Sequence, residues 1–173
     1  MKRTKRTFFL ALSGMLLLGT LPGCGYHIGG LKPKALASMK TFNVVMMENR
    51  SLEPQAGVLM TSALTDVLQR DGTYEIATRN AGDFRIEGCV TGISFRQERS
   101  SYTDSYLSTE IGLQLFVTYN VYSNKTGKLL TSGSTTATST FFNSGNVQTA
   151  RTNALSYAVR RAAENIADRL TNG

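Results

Sequence analysis

Alternating apolar and polar positions predict the strands of this protein. The clearest alternation lies in 110–123, where every second residue from Ile111 to Val121 is apolar, as expected for a strand with one buried face. In 83–97 the apolar positions change parity near Gly92, which predicts a β-bulge at that glycine. The predicted strands are 41–47, 83–97, 110–123 and 128–142, with a short additional strand at 74–78.

Two other segments carry apolar residues at intervals of three and four, the spacing of one face of a helix. The first follows Pro54, which suits the first turn of a helix, and ends at Gly72, which suits a left-handed C-terminal cap. The second spans 147–170, with Asn146 as the predicted N-cap. Alanines at every fourth position of the second helix predict that it lies close to a sheet.

The order of these elements predicts an α+β fold. Strand, helix, strands and helix follow one another along 41–173, which predicts a single domain built as a two-layer sandwich. We expect two helices to pack on one face of a mainly antiparallel four-stranded sheet. The segment 24–40 contains glycine, proline and lysine with little periodicity, and it predicts a leader that tethers the domain.

The segment 1–23 predicts a secretory signal peptide. Basic residues at positions 2, 3, 5 and 6 precede an apolar run over 8–18, which is shorter than the roughly 20 residues of a membrane-spanning helix. Leu21-Pro22-Gly23-Cys24 then resembles the bacterial lipobox. This resemblance predicts cleavage before Cys24, acylation of that residue, and sorting to the outer membrane because Gly25 follows it. The alternative is an ordinary signal peptide that ends near a cysteine.

The charge of the chain falls once the signal is removed. The chain has 19 basic and 12 acidic residues, but four of the basic residues and none of the acids lie in 1–23. The remaining side chains give a net charge of +3, which argues against a nucleic-acid-binding protein. With Cys24 acylated, Cys89 is the one cysteine left, so we expect no intrachain disulfide. Its place in a strand-like run predicts a buried small side chain.

The predicted hairpins bring arginines and aromatic residues to one end of the sheet. If 83–97 runs upward, the loop after it and the connection before the last helix share the upper end. The candidate binding residues at that end are Arg96, Arg99, Tyr102, Phe141, Phe142 and Arg151. A cationic end with interleaved aromatic rings suits an anionic amphiphile or a protein partner. The alternative interpretation is a set of ordinary solvated hairpin tips.

Residues for catalysis are sparse in the sequence. His27 is the single histidine and lies in the leader, and no cluster of cysteines accompanies it. A nucleophile–base pair or a transition-metal site therefore lacks obvious members. No glycine-rich phosphate-binding pattern follows a predicted strand. We predict neither an enzyme nor a bound metal or cofactor, and the scattered carboxylates leave an acid–base pair as an open alternative.

Several short motifs, in order along the chain, resemble the lipopolysaccharide-assembly lipoproteins of the LptE type. The motifs are Cys24-Gly25-Tyr26-His27 at the predicted mature start, Ser38-Met39-Lys40, Asp83-Phe84-Arg85-Ile86, Thr126-Gly127-Lys128-Leu129 and the alanine-rich final helix. The resemblance spans nearly the whole predicted mature chain.

The resemblance implies a non-enzymatic protein, anchored by lipid at the periplasmic face of the outer membrane. Members of this family plug a large outer-membrane β-barrel, LptD, assist its assembly and help to pass lipopolysaccharide to the outer leaflet. Basic residues near the hairpin tip and the last helix are implied to meet lipopolysaccharide phosphates. Arg151 matches the helix position, whereas 101–108 contains no basic residue. The alternatives are a lipoprotein that regulates a peptidoglycan synthase, a subunit of a secretion complex, and a degradative envelope enzyme.

Overall fold

The computed structural model describes residues 32–78, 81–100, 108–143 and 145–173. The predicted signal peptide lies outside the described residues, as do residues 24–31 of the predicted leader, which include Cys24 and His27. The candidate binding residue Tyr102 lies outside them as well.

Six strands and two long helices make up the described part of the chain. A short 3-10 turn, Lys34–Leu36, precedes the first strand. In chain order the elements are β1 (Thr41–Val44), β2 (Glu48–Asn49), α1 (Ala56–Asp71), β3 (Glu75–Ile76), β4 (Phe84–Ser100), β5 (Ser108–Ser123), β6 (Leu129–Phe142) and α2 (Val147–Thr171).

All six strands belong to one mixed sheet. Its order is β3-β1-β4-β5-β6, and β2 pairs with β4 beyond the end of β1. The strands β4, β5 and β6 are antiparallel to one another, whereas β1 and β2 run parallel to β4 and β1 runs parallel to β3. The prediction of an α+β fold is confirmed, but the prediction of a mainly antiparallel four-stranded sheet is wrong in strand number and in pairing.

The mixed pairing has a physical reason in the position of α1. Parallel neighbours need a long crossover connection, usually a helix, and α1 supplies it between β2 and β3. The predicted strand 41–47 is also interrupted, because β1 ends at Val44 opposite Ile86 and β2 starts at Glu48 opposite Cys89. Between them Met47 is buried, and its backbone N–H donates to the hydroxyl of Thr61 on α1 at 2.9 Å.

Both helices pack on one face of the sheet, as predicted. The buried residues of α2 include the alanine series that was predicted to lie against the sheet: Ala154, Ala158, Ala162, Ala163 and Ala167. Both predicted helix caps are confirmed. Asn146 accepts a hydrogen bond from the backbone of Thr149 at 3.1 Å, and Gly72, with a φ of 74°, donates its N–H to Leu68.

A bulge in β4 redirects its upper half. The pairing register shifts between Val90 and Gly92, which confirms the bulge predicted from the parity change. Because a one-residue shift exchanges the two faces of a strand, Ile93 and Phe95 return to the helix-covered side. The bulge therefore places an aromatic ring near the start of α2.

One carboxylate joins three separate segments at the lower end of the sheet. Asp83 accepts hydrogen bonds from the backbone amides of Lys40 at 3.0 Å and Thr41 at 3.2 Å, and from Lys125 Nζ at 3.0 Å. The bond from the Lys40 amide, followed by those from Lys125 and the Thr41 amide, holds the pKa of Asp83 well below its usual range. Asp83 thereby fixes β1 and the β5–β6 turn beside the start of β4.

Candidate functional site

The upper end of the sheet carries a cluster on its helix-covered side. The guanidinium carbon of Arg151, on the first turns of α2, lies 4.5 Å from the centre of the Phe95 ring, a distance at which a cation and an aromatic face attract each other. Phe95 meets Phe141 edge to face, with ring centres 6.3 Å apart. The upper half of β4, the end of β6 and the start of α2 thus meet at these three side chains.

A carboxylate from a distant segment completes this cluster. Glu53, just before α1, forms a hydrogen-bonded ion pair with Nη2 of Arg151. The exposed fraction of the side chain is 37% for Arg151 and 19% for Glu53, so the pair is only partly screened by solvent. Nε of Arg151 is buried and has no hydrogen-bond partner among the described residues. The cationic group predicted to meet phosphates is therefore balanced by a carboxylate in this structure.

The other candidate residues lie at the same end but on the opposite face. Arg96 and Arg99 stand opposite Gly112 and Glu110 of β5, and Phe142 stands opposite Glu110 from the other side. Arg96 pairs with Glu98 at 3.3 Å and Arg99 with Glu110 at 3.2 Å. Phe142 is 60% exposed. The structure brings Arg151 and Phe141 together on one face and gathers Arg96, Arg99 and Phe142 on the other.

The face that the helices leave uncovered is mostly polar, with Phe116 and Phe142 as apolar exceptions. Two further ion pairs lie along it, Arg50 with Glu48 at 3.1 Å and Arg85 with Glu87 at 2.6 Å. The free thiol of Cys89 lies half-buried in a shallow groove between these pairs, so the predicted burial of this cysteine is only partial. The hydroxyl residues of β6 that face the same way are exposed: Ser132, Ser134, Thr136, Thr138 and Thr140. We name this surface the open face.

Exposed apolar side chains lie beside the Arg151 cluster. Leu52, next to Glu53 in the chain, is 97% exposed, and Phe95 and Val147 are also exposed. An exposed apolar side chain beside a cation is the local arrangement that an anionic amphiphile uses, since its charge and its apolar part need separate partners.

Sequence reasoning missed Glu53 and the carboxylates that neutralise the arginines. Phe95 could have been found, because the parity change near Gly92 places it on the helix side. Glu53 could not, since it reaches Arg151 across 98 positions of sequence. Glu98 follows Arg96 by two residues on the same strand, and Glu110 lies across the predicted hairpin from Arg99, so both spacings were available signals for ion pairing.

Membrane-spanning helices and metal-binding groups are two other features that the described residues could contain. No helix in the described ranges is both long enough and apolar enough to cross a membrane. Within the same ranges, no three histidine, cysteine, aspartate or glutamate side chains come together as a metal-binding group.

Comparison with solved structures shows the fold of this chain in other proteins. The dodecameric PelC of Paraburkholderia phytofirmans is 18% identical, with 82% of this chain and 94% of PelC covered and a TM-score of 0.53. Lipoprotein B of Nitrosomonas europaea, described as uncharacterized, is 14% identical over 76% of this chain and 81% of its own, with a TM-score of 0.52. At these identities the likeness concerns the fold alone.

Comparison of the sequence with family models gives a more specific result. No curated protein matches the sequence. The model of the LptE family, described as lipopolysaccharide-assembly, matches residues 39–170, which include every strand and nearly all of both helices. LptE is a non-enzymatic lipoprotein family whose members associate with LptD-type partners. This chain therefore belongs to the LptE family of lipopolysaccharide-assembly proteins.

Proposed function

We propose that this protein is an outer-membrane lipoprotein that plugs the β-barrel of the lipopolysaccharide translocon. In this role it assists assembly of the LptD-type barrel and helps to deliver lipopolysaccharide to the outer leaflet. The observation that carries the proposal is the family match over residues 39–170, which covers both the sheet and the helices described above.

The chemistry of the open face supports the plug role. The lumen of an outer-membrane barrel is polar, so a plug needs a polar surface that can exchange water for hydrogen bonds with the barrel wall. The open face supplies exposed hydroxyls on β6. Its arginines each have a carboxylate within 3.3 Å, so the face carries little uncompensated charge into the lumen.

The upper end of the molecule supports contact with lipopolysaccharide. A phosphate binds well to a guanidinium through charge-assisted hydrogen bonds. Arg151 lies over the exposed ring of Phe95, and the exposed Leu52 is next in the chain to its ion-pair partner Glu53. In this proposal the phosphate replaces Glu53 at Arg151, while acyl chains contact the exposed apolar side chains of Leu52, Phe95 and Val147. Arg96, Arg99, Phe141 and Phe142 serve as further contacts of the lipid or the barrel, as does Tyr102, which lies outside the described residues.

The anchor in this proposal is Cys24. Acylation of its thiol and amino group holds the protein at the periplasmic face of the outer membrane, since more than one acyl chain is needed for stable anchoring. The barrel supplies a second, independent attachment to the same membrane.

Affinity purification of the tagged full chain from detergent-solubilised outer membrane tests this function. We expect a β-barrel protein in near-equal amount with the tagged chain, both for the parent and for Cys24→Ala if that variant is exported. A peptidoglycan synthase or a secretion component in place of the barrel would overturn the proposal. Repeated recovery of the chain without a barrel would overturn it as well.

A further inference from the structure

In the described part of the chain, no strand pairs with the outer edge of β6. This strand has 14 residues and β5 is its single neighbour in the described sheet. The opposite edge is formed by β3, which has two residues. Natural proteins usually keep edge strands short, because a long edge presents a row of free backbone donors and acceptors to another chain.

The hydrogen bonds at the β5–β6 turn show which backbone groups are free. Ser123 donates its N–H to Lys128, toward β6, whereas Asn124 donates to Asp83, toward β4. Successive residues of a strand direct their backbone N–H and C=O groups to opposite sides. The odd-numbered residues of β5 therefore direct these groups toward β6. In the observed register these are opposite odd-numbered residues of β6, such as Val117 opposite Thr135.

The even-numbered residues of β6 therefore direct both backbone groups away from the sheet. They are Ser132, Ser134, Thr136, Thr138 and Thr140. The carbonyl of Ser134 is directed away from β5, as expected, since it accepts a hydrogen bond of 2.6 Å from Arg169 at the end of α2. For the other outward N–H and C=O groups, no partner is found among the described residues.

The sequence of β6 lacks the features that normally protect such an edge. From Leu129 to Phe142 there is no charged residue and no proline, and both are common safeguards against edge pairing. The one pairing irregularity lies at the start of the strand, next to Leu129. Arg169 is the one charged side chain seen bonded to the outward backbone, and it occupies a single carbonyl.

The sequence of β6 also allows it to pair with the β6 strand of a second copy of the chain. In an antiparallel pair about a two-fold axis at Thr136, Ser132 lies opposite Thr140 and Ser134 opposite Thr138 of the second copy. The residues that direct their backbone groups outward then lie opposite one another, and about ten backbone hydrogen bonds can form between them. Two of these use the Ser134 carbonyls, which Arg169 must release or share. Hydroxyl side chains face hydroxyl side chains, a favourable cross-strand pairing, and no like charges are brought together.

We propose that two copies of this chain dimerise by antiparallel pairing of their β6 strands. A closed barrel has no free strand edge to offer, so within the proposed function this dimer would form only outside the barrel. The inference does not rest on the proposed function, and its test measures self-association in the absence of any barrel.

Cysteine crosslinking of the full chain in detergent tests the pairing and its register. In a Cys89→Ser background, Thr136→Cys places two thiols on residues whose Cα atoms are about 5.5 Å apart, within the range of a disulfide. The matched variant Ser132→Cys separates the two thiols by eight residues, about 27 Å. We expect dimer crosslinks for Thr136→Cys at least tenfold above both Ser132→Cys and the parent. Equal crosslinking of the two variants would overturn the proposal.

Light scattering corrected for bound detergent measures the oligomeric state independently. We expect a dimer for the parent at micromolar concentration and a monomer for Thr136→Pro. The Thr136 N–H faces outward, so proline removes no bond to β5, and circular dichroism serves to check that the variant is folded. Arg169→Ala frees the Ser134 carbonyl and is expected to tighten the dimer several-fold. A monomeric parent, or a folded Thr136→Pro that dimerises as the parent does, would overturn the proposal.

Discussion

Arg151 on α2 and Glu53 before α1 form an ion pair above the ring of Phe95. The pair joins the starts of the two helices to the upper half of β4. In this pair, the carboxylate of Glu53 occupies the position at Arg151 that a phosphate takes in the proposed function. Both groups are anions that accept hydrogen bonds from a guanidinium.

We predict that Glu53→Gln strengthens binding of lipopolysaccharide. Removal of the carboxylate leaves Arg151 without its competing anion, so the affinity should rise several-fold and its salt dependence should become steeper. The free energy of unfolding should fall by about 1–2 kcal/mol, because a half-buried guanidinium loses its partner. Binding to immobilised lipopolysaccharide at two salt concentrations measures the first effect.

Glu98→Gln is the matched control for this substitution, since Glu98 pairs with Arg96 on the open face. It should change the affinity much less than Glu53→Gln does. If Arg151→Ala in the same assay left the affinity unchanged, Arg151 would not belong to the lipid site.

We predict that the stability of the protein depends on the charge of Asp83. The folded-state pKa of this carboxyl is lowered, so the charged group contributes fully above its unfolded pKa of about 3.9. The contribution is lost as the pH falls through the lower folded value. Asp83→Asn should lower the free energy of unfolding by about 1–3 kcal/mol at pH 7. The difference from the parent should shrink below about pH 4, which denaturant unfolding at several pH values measures. A difference that is independent of pH would contradict this account.

We predict that the hydroxyl of Tyr74 stabilises the contact between β3 and the end of α2. It donates a hydrogen bond of 2.7 Å to the carbonyl of Leu170 in a buried site. Burial, with a smaller effect from the charge of Asp71, raises the pKa of Tyr74 to about 12. Its contribution is therefore complete below its unfolded pKa of about 10 and is lost as the pH rises through the folded value.

Tyr74→Phe should cost about 1–2 kcal/mol of stability at neutral pH, because the buried carbonyl loses its partner. Tyr157→Phe is the control, since Tyr157 is exposed. Ultraviolet titration should also show one tyrosine in the parent that ionises near pH 12 and is missing from Tyr74→Phe. Ionisation of all tyrosines near pH 10 would contradict the burial argument.

We predict that Gly57 is required for the close approach of α1 to the β1–β2 connection. A Cβ atom at this position would lie 2.6 Å from the backbone oxygen of Met47, which cannot move away as a flexible side chain can. Gly57→Ala should therefore destabilise the protein by about 1–3 kcal/mol, although alanine favours helices. At Gly92 a Cβ would meet nothing within 4 Å, so Gly92→Ala should have little effect. Thermal unfolding of both variants compares the two sites.

The sequence predicted those parts of the fold that depend on local patterns. The alternation in 110–123, the caps at Asn146 and Gly72, and the bulge near Gly92 each depend on a few neighbouring residues, and all appear in the structure. The parallel pairing was missed because it depends on which strands α1 connects. The break after Val44 was missed because Val45 to Met47 continue the apolar run, although the backbone N–H of Met47 donates to Thr61 on α1 rather than to a strand.

The candidate site was predicted in position but not in arrangement. Strand direction alone brings Arg96, Arg99 and Arg151 to one end. Their division between two faces depends on the bulge and on the start of α2. Their neutralisation by Glu53, Glu98 and Glu110 depends on side-chain contacts between segments, which a pattern of hydrophobic and polar positions does not contain.

Site-specific photocrosslinking in intact cells tests the plug role most directly. A photoreactive residue at Thr118 on the open face and another at Phe142 at the upper end report which molecules contact these two surfaces. We predict that both positions crosslink to an outer-membrane β-barrel protein, and that Phe142 also yields adducts with lipopolysaccharide. Crosslinks from both positions to other proteins, with none to a barrel, would contradict it.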